Sequence, residues 1–495
     1  MRNVIRRLNE DALSTIDSRI ETPTYDRRYL RPSIVHLGVG AFHRAHQAVY
    51  LDDLAVTGSD WGEVGVGLLS QDRAVAEALQ PQQGLYTLLV RGADGDTARI
   101  IGSLLAYRFA PHQPDAVLDT LTALSTRLVT MTITEGGYNV DETTGRFHAE
   151  NGAVQADLQY PRCPSTVFGY LAEALDRRRR AGIGPLSILS CDNLQGNGDI
   201  TRTALVSFAR LRDEALATWI ERHIAFPNSM VDRITPQTTE LERKFVAREF
   251  GLVDRWPVVT EPFRQWVVED VFSNGRPALE RVGAQMVTDV YPYETMKMRL
   301  LNASHVAMGY LGCVAGYRTV NAIMGDRSFR TFIQRQMHEE VAPLLPPVPG
   351  IDLDSYQRTL MERFSNPRID DQVARICLDG SAKVPKFLLP ALQAALDEER
   401  PHRQLTLALG GWLRYLAGVD DCGEEIMVQD ARSAELQSLA RQGGDDPRPL
   451  LGQRDLFGDL ADCEAFVIDL QSALRTLYAS GVRDTLLRSA EETGS

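Results

Sequence analysis

The chain has 495 residues, of which 44% are hydrophobic and 24% are charged, and this globular composition excludes intrinsic disorder as the main state. Its 53 basic and 66 acidic residues give a net charge of −13, which repels phosphate backbones, so we expect no nucleic-acid partner. No run of about 18 apolar residues occurs, and we therefore expect no membrane-spanning helix. At roughly 100–200 residues per domain, the length allows two to four domains.

The cysteines and the N-terminus are typical of a cytoplasmic protein. Residues 1–12 carry charges throughout and lack the apolar core of a secretory signal. The six cysteines are scattered without a CxxC pair, so we expect neither a disulfide framework nor structural zinc. His43 and His46 stand three residues apart, but no third ligand is near them in the sequence, and we predict no bound metal. The basic run at residues 177–180 precedes Gly182 and is typical of a helix C-terminus.

The first half of the chain alternates apolar strands with amphipathic helices. The predicted strands are residues 33–38, 63–70, 127–134 and 186–190, with helices such as 115–124 and 167–180 between them. Nearly continuous apolar strands that alternate with helices predict a parallel sheet covered on both faces. Residues 86–90 and 99–104 flank a turn at Asp94-Gly95, and they predict an antiparallel hairpin inserted in that sheet.

Gly38 and Gly40 follow the first predicted strand, in the run GVGAFH at residues 38–43. Two glycines at this spacing let the backbone turn tightly and approach a pyrophosphate. The third glycine of the usual fingerprint is replaced by His43, and a glycine-rich turn without a ligand is the alternative. Within an alternating α/β half, the motif predicts a Rossmann-type dinucleotide-binding domain over residues 1–289.

Asp72 lies where the second predicted strand ends. An acidic side chain at that position can accept hydrogen bonds from the ribose 2′-OH of the adenosine, which favours NAD. Arg73 beside it could instead meet the 2′-phosphate of NADP. The alternative interpretation of Asp72 is a helix cap before residues 73–79.

Polar side chains also follow the later strands. Glu135 closes the third strand, Asp192 and Asn193 close the fourth, and Asp232 follows residues 228–231. In open α/β sheets ligands bind beyond the carboxyl ends of the strands, which favours a functional site at this edge. Each residue taken singly is also a common turn former.

From about residue 290 onward, helix-spaced apolar residues dominate and strand signals are few. The predicted helices are residues 294–310, 327–342, 355–365, 387–398, 405–417, 434–442, 463–480 and 484–491. We therefore predict a mostly α-helical second domain over residues 290–495, with the active site in the cleft between the two domains.

The densest group of polar candidates lies in the first of these helices. On an α-helix Lys297, His305 and Asn302 fall at roughly 0°, 80° and 140° around the axis, so they share one face. The eight residues from Lys297 to His305 correspond to a rise of about 12 Å, which a long lysine and a substrate would have to bridge. A solvated lysine with a buried histidine is the alternative.

These motifs recur together in one known family. The segments that carry the resemblance are residues 34–47, 134–138, 190–193, 230–236, 297–305, 363–366 and 379–383. As a set they resemble the polyol-specific long-chain dehydrogenase/reductase family, and they extend over most of the chain. Because His43 is typical of this family, its departure from the glycine fingerprint agrees with the resemblance.

The resemblance implies roles for single residues. Lys297 is the general base or acid at the C2 hydroxyl, and the amides of Asn193 and Asn302 form an oxyanion hole. His305 positions the substrate hydroxyl and the lysine. The further residues implied for substrate binding or proton relay are Glu135, Glu294, Arg375, Lys383 and Asp232. The residues implied for cofactor binding are Gly38, Gly40, Ala41, Phe42, His43 and Asp72. A lysine has an ordinary pKa of about 10.4, and partial desolvation should lower it enough to act as a base.

The resemblance also implies the reaction, which is a zinc-independent, NAD-dependent and reversible oxidation of D-mannitol to D-fructose. The pair Gly136-Gly137 is typical of mannitol-oxidising members, whereas fructuronate reductases tend to have a lysine at the first of these positions. Fructuronate reduction and oxidation of arabinitol or sorbitol are the alternatives, followed by a non-catalytic NAD- or sugar-binding protein. The expected partners are a neutral polyol or ketose, and the expected oligomeric state is a monomer.

Overall fold

The computed structural model describes residues 6–141 and 144–491. The chain divides into two compact units, Met1–Tyr291 and Pro292–Ser495. All fourteen strands of the described residues lie in the first unit. The change from mixed to helical structure therefore falls beside Pro292, where the sequence pattern changes.

The first unit contains strands of two to seven residues. They are β1 (Arg6–Arg7), β2 (Ile20–Glu21), β3 (Arg31–Leu37), β4 (Trp61–Gly67), β5 (Tyr86–Gly92), β6 (Gly95–Ile101), β7 (Leu104–Phe109), β8 (Leu128–Met131), β9 (Ser187–Ser190), β10 (Ser229–Asp232), β11 (Leu252–Val253), β12 (Val258–Thr260), β13 (Gln265–Glu269) and β14 (Gln285–Val287). The four strands predicted for the parallel sheet correspond to β3, β4, β8 and β9.

The main sheet has five parallel strands in the order β7-β4-β3-β8-β9. The chain starts at its centre with β3, passes through β4 to β7 at one edge, and returns to β8 on the other side of β3. The strand order therefore reverses between β3 and β8, which is where open α/β sheets bind their ligands. The predicted fold class, a Rossmann-type domain followed by a helical one, is confirmed.

The residues of β3 explain why this sheet is covered on both faces. Val35 and Leu37 pack into one hydrophobic cluster, whereas Ile34 packs into another together with Leu51 and Leu54. Because successive side chains of a strand point to opposite faces, a continuous apolar run requires apolar partners on each side.

The predicted hairpin forms, but it does not belong to the parallel sheet. β5 and β6 pair antiparallel, and Gly92 opposes Gly95 across a loop of two residues. They lie in a separate four-stranded sheet of order β12-β5-β6-β2. The predicted second strand ran to residue 104, yet Leu104 begins β7 of the main sheet. The prediction that the hairpin is inserted in the main sheet was therefore wrong.

Helices cover the sheets of the first unit. They are α1 (Ala41–Ala45), α2 (Gln47–Val56), α3 (Arg73–Leu79), α4 (Pro114–Thr122), α5 (Gly152–Gln159), α6 (Val167–Arg180), α7 (Asn197–Arg212), α8 (Glu214–His223) and α9 (Glu240–Phe250), with 3₁₀ turns at Glu10–Thr15, Arg27–Tyr29, Ser70–Asp72, Glu135–Tyr138 and Leu279–Val282. The basic run forms the last turn of α6, where the fully buried Arg178 donates to the carbonyl oxygens of Ala123 and Gly184.

The described part of the second unit is helical. Its α-helices are α10 (Tyr291–Met296), α11 (Ala303–Val314), α12 (Val320–Gly325), α13 (Arg327–Arg335), α14 (Leu353–Phe364), α15 (Val373–Ile376), α16 (Gly380–Phe387), α17 (Leu389–Asp397), α18 (Arg403–Leu416), α19 (Ser433–Gly443), α20 (Arg448–Leu451), α21 (Arg454–Phe457) and α22 (Glu464–Glu491). Two π-helices, Lys297–Asn302 and Gln336–Val341, and two 3₁₀ turns, Ala342–Leu344 and Leu460–Asp462, complete the unit.

Two glycines shape the helices of this unit. Gly481 interrupts α22 with φ 74° and ψ 171°, which agrees with the two helices predicted on either side of it. Gly411 lets α18 approach α11, because a Cβ atom there would lie 2.5 Å from Cγ of Leu311. Across residues 6–141 and 144–491, the structure contains no helix long and apolar enough to cross a membrane.

Candidate active site

The turn after β3 has the geometry that the glycine motif predicts. Gly38 has φ +91°, and a Cβ atom at this position would lie 2.1 Å from the carbonyl oxygen of Thr132. Only glycine fits there, because the backbone is left-handed and the residue directly after β8 is in contact. Gly40 has open space around it, since its own Cβ would meet nothing closer than 4.0 Å. The turn therefore leaves room for a ligand group such as a pyrophosphate beside Gly40, at the point where the strand order reverses.

The helix that follows the turn is short. α1 ends at Ala45 after five residues, and the backbone breaks at His46 (φ −125°, ψ −86°) before α2 begins. The ring of Phe42 stacks on His46 with 5.0 Å between centroids, and Nε2 of His46 lies 2.8 Å from the carbonyl oxygen of Gln265.

A buried polar stack replaces the third glycine of the fingerprint. The rings of His36 and His43 stack with their centroids 3.5 Å apart, and Nε2 of His43 hydrogen-bonds to Oε2 of Glu63 at 3.0 Å. Nδ1 of His36 lies 2.8 Å from Oγ1 of Thr130. Neither His36 nor Glu63 was predicted as part of the site, although each is a polar residue inside an otherwise apolar strand.

Burial controls the protonation of this stack. It lowers the pKa of His43 to about 3 and lowers that of His36 well below its usual value of 6.5. The same burial raises the pKa of Glu63 to about 7. Both histidines are therefore neutral at physiological pH, because a buried site without water disfavours the charged imidazolium form.

Asp72 acts as a cap and keeps an oxygen available. Its Oδ2 accepts a hydrogen bond from the backbone N–H of Leu69 at 2.8 Å, which closes the 3₁₀ turn Ser70–Asp72. Arg73 contacts His112 at 3.0 Å and lies over the ring of Phe109. The alternative predicted for Asp72, a side-chain cap of α3, is therefore wrong, because its carboxylate makes no cap bond to that helix. Its second carboxylate oxygen is left to accept from a ribose hydroxyl.

The loop after β8 is held by a residue of the next strand end. Asp192 accepts hydrogen bonds from the backbone N–H groups of Ile133 and Thr134, both at 2.9 Å, and from the hydroxyl of Tyr138 at 2.6 Å. Burial raises the pKa of Asp192 above its usual 3.8, although these three hydrogen bonds oppose the shift. The exposed Glu135 lies in this loop, and Asn193 directly follows Asp192.

Asn197 joins the carboxyl end of β9 to the start of β10. Its Nδ2 donates to the carbonyl oxygens of Asp192 at 3.0 Å and Ser229 at 2.8 Å, and its Oδ1 accepts from the N–H of Ser229. Asp232 ends β10, is 4% exposed, and pairs with Gln265 of β13. Asp192 therefore connects the ends of β8 and β9 by hydrogen bonds, whereas β10, which ends at Asp232, belongs to a separate three-stranded sheet with β13 and β14.

In the second unit, Lys297 and Asn302 bound a π-helix. The backbone N–H of Ala303 donates to the carbonyl oxygen of Met298, five residues earlier. In a π turn, residue i+5 takes the place over residue i that residue i+4 has in an α-helix. Asn302 therefore turns toward the side of Lys297, and the predicted separation of about 140° on a regular α-helix does not apply.

The polar side chains of this helical stretch are buried. Glu294, Lys297 and Asn302 are 5%, 7% and 9% exposed, respectively. Nδ2 of Asn302 is buried and has no hydrogen-bond partner within the described residues. The ring of His305, on α11, lies 4.8 Å from that of Phe364, measured between centroids. Hydrogen-bond capacity is thus available for a ligand inside an otherwise apolar region.

Two predicted substrate-binding residues already have partners in their own unit. Arg375 makes a bidentate ion pair with Asp371, at 2.8 and 2.7 Å. Nζ of Lys383 donates to the carbonyl oxygen of Ile376 at 3.2 Å. In the described part of the chain, no group of three or more His, Cys, Asp or Glu side chains could hold a metal ion.

Two family models match most of the chain. The model of the mannitol dehydrogenase Rossmann domain matches residues 32–281, and that of the mannitol dehydrogenase C-terminal domain matches residues 289–478. A mannitol 2-dehydrogenase from Aspergillus fumigatus is 46% identical over 493 residues, which cover 97% of this chain and 98% of the relative. A mannitol dehydrogenase from Saccharomyces cerevisiae is 45% identical, with coverage of 96% and 95%.

Solved structures of similar proteins share the fold over nearly the whole chain. Mannitol 2-dehydrogenase of Pseudomonas fluorescens, in a ternary complex with NAD and D-mannitol, is 42% identical, with a TM-score of 0.88 and coverage of 98% of this chain and 100% of that one. A substrate-free D-sorbitol dehydrogenase is 38% identical, with a TM-score of 0.89 and coverage of 97% and 100%.

Proposed function

Because the chain belongs to the mannitol dehydrogenase family, we propose that it catalyses the reversible oxidation of D-mannitol at C2 to D-fructose with NAD⁺. The observation that carries this proposal is the 46% identity to a mannitol 2-dehydrogenase over 97% of the chain. A relative that is 42% identical was solved with NAD and D-mannitol, which supports the same pair of ligands here.

The residues of the first unit fit NAD. The turn of Gly38, Gly40, Ala41 and Phe42 would hold the pyrophosphate, because the space beside Gly40 is open. His43, which is fully buried against His36 and Glu63, would support this turn without contacting the cofactor. Asp72 would accept hydrogen bonds from the adenosine ribose through its second carboxylate oxygen. Bound NAD⁺ supplies a hydride acceptor for C2 of the substrate.

Lys297 is the proposed general base in oxidation and general acid in reduction. It takes the proton of the C2 hydroxyl as the C2 hydrogen leaves as hydride, so that C2 becomes a carbonyl carbon. The residue is buried, with 7% of its surface exposed, and a lysine acts as a base in its neutral amine form. A lysine base therefore activates the hydroxyl, and we propose no zinc ion for this step.

The amides of Asn193 and Asn302 would stabilise the alkoxide-like oxygen. A donor aimed at developing charge contributes roughly 3–4 kcal/mol when removal of a single one is measured. Nδ2 of Asn302 supports this role, because a buried amide without a partner in the described chain can take up an oxygen without breaking another hydrogen bond. The hydrogen bond from Nδ2 of Asn302 to the substrate oxygen would strengthen as negative charge develops on that oxygen.

The remaining residues are proposed to place the substrate. His305, with Phe364 against its ring, would orient the reacting hydroxyl and Lys297. Arg375 and Lys383 would contact the distant hydroxyls. Glu135, Glu294 and Asp232 would relay protons or position these groups. The ion pair of Arg375 with Asp371 would hold its guanidinium in a defined orientation.

A substrate panel tests the proposal. The full-length chain would be assayed for NADH or NADPH formation with D-mannitol, D-sorbitol and D-arabinitol, and for NADH consumption with D-fructose and D-fructuronate. We expect the highest kcat/KM with D-mannitol and NAD⁺ in oxidation and with D-fructose in reduction. A preference for D-fructuronate would overturn the proposal, and NAD binding without turnover of any substrate would favour a non-catalytic binder.

The setting of the enzyme is also a proposal. All six cysteines are free thiols, which suits a reducing compartment, and we propose that the protein acts in the cytoplasm. We propose a monomer, in keeping with the resemblance given above. Sedimentation of the purified protein at several concentrations tests the oligomeric state.

A further inference from the structure

We propose that Asp192 is a positioning residue, whose carboxylate holds the loop of residues 133–138 in a strained conformation and so fixes the backbone that carries Glu135 and Asn193. The inference rests on the proposed function, because it concerns the placement of two residues assigned to that reaction. The evidence for it is a backbone outlier, a buried acceptor and the hydrogen bonds between them.

The outlier is Thr134, with φ 60° and ψ 165°. Conformations near these angles are essentially restricted to glycine, because a side chain collides with its own backbone. Six non-glycine residues of the described chain have positive φ, and Thr134 is the β-branched one among them. Such residues persist only where the surroundings determine their conformation, and they occur preferentially at functional sites.

The surroundings of Thr134 determine its conformation through Asp192. The aspartate is 8% exposed, and its two carboxylate oxygens receive three donors from the same loop, the N–H groups of Ile133 and Thr134 and the hydroxyl of Tyr138. The hydroxyl of Tyr138 also lies 2.5 Å from that of Ser190. Only a carboxylate has an acceptor oxygen at both positions. The side chain of an asparagine would place its NH₂ group, which is a donor, against the donors on one of the two sides.

The main chain of Asp192 is held as firmly as its side chain. Its carbonyl group, which belongs to the peptide bond to Asn193, accepts from Nδ2 of Asn197, and Asn197 is itself bonded to Ser229. One residue thus connects the loop that carries Glu135 with the proposed oxyanion donor Asn193. A change in the Asp192 carboxylate would move both residues without removing either.

The first test is Asp192→Asn in the full-length enzyme. We expect kcat for D-mannitol to fall by about 10–100-fold, as for small misplacements of reacting groups, while the Kd for NAD⁺ changes by less than about threefold. Hydrogen exchange of the Ile133 and Thr134 amides should accelerate, because each loses a charged acceptor. The milder Tyr138→Phe, which leaves both backbone hydrogen bonds in place, should change kcat in the same direction by a smaller factor.

The matched control is Asp157→Asn. Asp157 is 2% exposed and also accepts from two backbone N–H groups and two hydroxyls, those of Ser165 and Thr166. Neither of these residues has a positive φ. We expect this variant to lose a similar amount of thermal stability while its kcat stays within about twofold of wild type.

The second test relieves the strain. Thr134→Gly should restore at least about a third of the lost kcat in the Asp192→Asn background, because glycine adopts these angles without the hydrogen bonds of the Asp192 carboxylate. Equal loss of kcat in Asp192→Asn and Asp157→Asn, or no rescue by Thr134→Gly, would overturn the inference. If the wild-type enzyme oxidised no polyol, the proposed function would fail. Faster hydrogen exchange confined to residues 133–138 in Asp192→Asn would still show that the Asp192 carboxylate holds this loop.

Discussion

Gly38 in the first unit and Asn302 in the second are held in place by different means. The backbone fixes the position of Gly38, because its left-handed φ and its contact with the carbonyl oxygen of Thr132 exclude every other residue type. Asn302 instead owes its direction to one π turn in a helix whose neighbours are apolar. A substitution that disturbs backbone contacts lowers the stability of the surrounding structure. A side chain on a helix can be replaced while the helix and the fold remain. We therefore expect substitutions in the second unit to affect turnover alone, and those in the first to affect stability as well.

The sharpest test of this difference is Lys297→Met, which keeps most of the side-chain length and removes the amine. We expect kcat to fall about 10²–10⁴-fold, the usual contribution of a general base, with the Kd for NAD⁺ unchanged. Steady-state kinetics and calorimetric NAD⁺ binding measure the two quantities. Lys244→Met, at an exposed lysine of α9, is the control. Full turnover in Lys297→Met would rule out the proposed base.

Asn302→Ala separates function from stability in the same helix. We expect kcat to fall about 10²–10³-fold, as for other single oxyanion donors. The free energy of unfolding should stay the same or rise, because the variant loses a buried amide nitrogen that has no partner in the described chain. Ser304→Ala, two residues further along and fully buried, serves as the control for both measurements. A large loss of stability in Asn302→Ala would contradict the distinction between the units.

Gly38→Ala tests the backbone side of the comparison. We expect a loss of roughly 2–4 kcal/mol in unfolding free energy, from the positive φ together with overpacking against Thr132. NAD⁺ affinity should fall with it. Gly58 has a similar φ of +88°, but a Cβ atom there would meet nothing within 4 Å, so Gly58→Ala should cost only about 1–2 kcal/mol. Equal losses in the two variants would show that the contact with Thr132 has no effect.

The buried histidines predict a pH dependence confined to the first unit. Burial lowers the pKa of His46 to about 3 from 6.5. Between these values the unfolded chain binds a proton that the folded chain does not, so stability falls with decreasing pH by about 1.4 kcal/mol per pH unit for this residue. His46→Gln should lose that part of the slope in denaturant titrations followed by Trp266 fluorescence, whose ring contacts His46.

The difference between wild type and variant is the quantity to compare. Glu63, with its pKa raised to about 7 from 4.5, acts in the opposite direction, because its folded form binds the extra proton between these values. It does so equally in both proteins and cancels in the difference. His338→Gln, at an exposed histidine of the second unit, is the control. An unchanged slope in His46→Gln would refute the prediction.

The smallest expected effect is that of Asp72→Ala on cofactor choice. Loss of a hydrogen bond to a charged group costs about 1.5–3 kcal/mol, so NAD⁺ affinity should fall by about tenfold or more. The ratio of kcat/KM for NADP⁺ to that for NAD⁺ should rise. Asp72→Asn keeps an acceptor for the N–H of Leu69 and controls for loss of the cap. An unchanged ratio in Asp72→Ala would remove Asp72 from the proposed role.

Local patterns predicted much of this fold. The helix at residues 167–180 was predicted with the bounds of α6, and the strands around Val35 and Val129 were recognised because buried parallel strands are continuously apolar. The left-handed turn at Gly38 followed from its residue type. The sheet of the hairpin was not predictable in this way, because β5 pairs with Val258–Thr260, far along the chain.

Other features of the candidate site have no local signature. The π turn after Lys297 differs from an α-helix only in which carbonyl group each N–H selects, and its residues have ordinary helix propensities. Thr134 is a residue type favoured in strands, so nothing in its identity indicated a glycine-like backbone. Asp192 was noted only as one polar residue at a strand end, because its role depends on hydrogen bonds that form after the sheet is assembled.

The π turn has a consequence for how this chain can change over generations. A π turn holds one residue more than the α-helical turn that it interrupts, so deletion of a single residue between Lys297 and Asn302 would yield a more regular helix. Asn302 would then stand four residues after Lys297 and would keep its place over the lysine, because residue i+4 of an α-helix takes the position that residue i+5 has in the π turn. The register of Asn302 and α11 on Lys297 therefore survives the loss of one residue from this segment, whereas the loss of a second residue would rotate them by about 100° relative to Lys297.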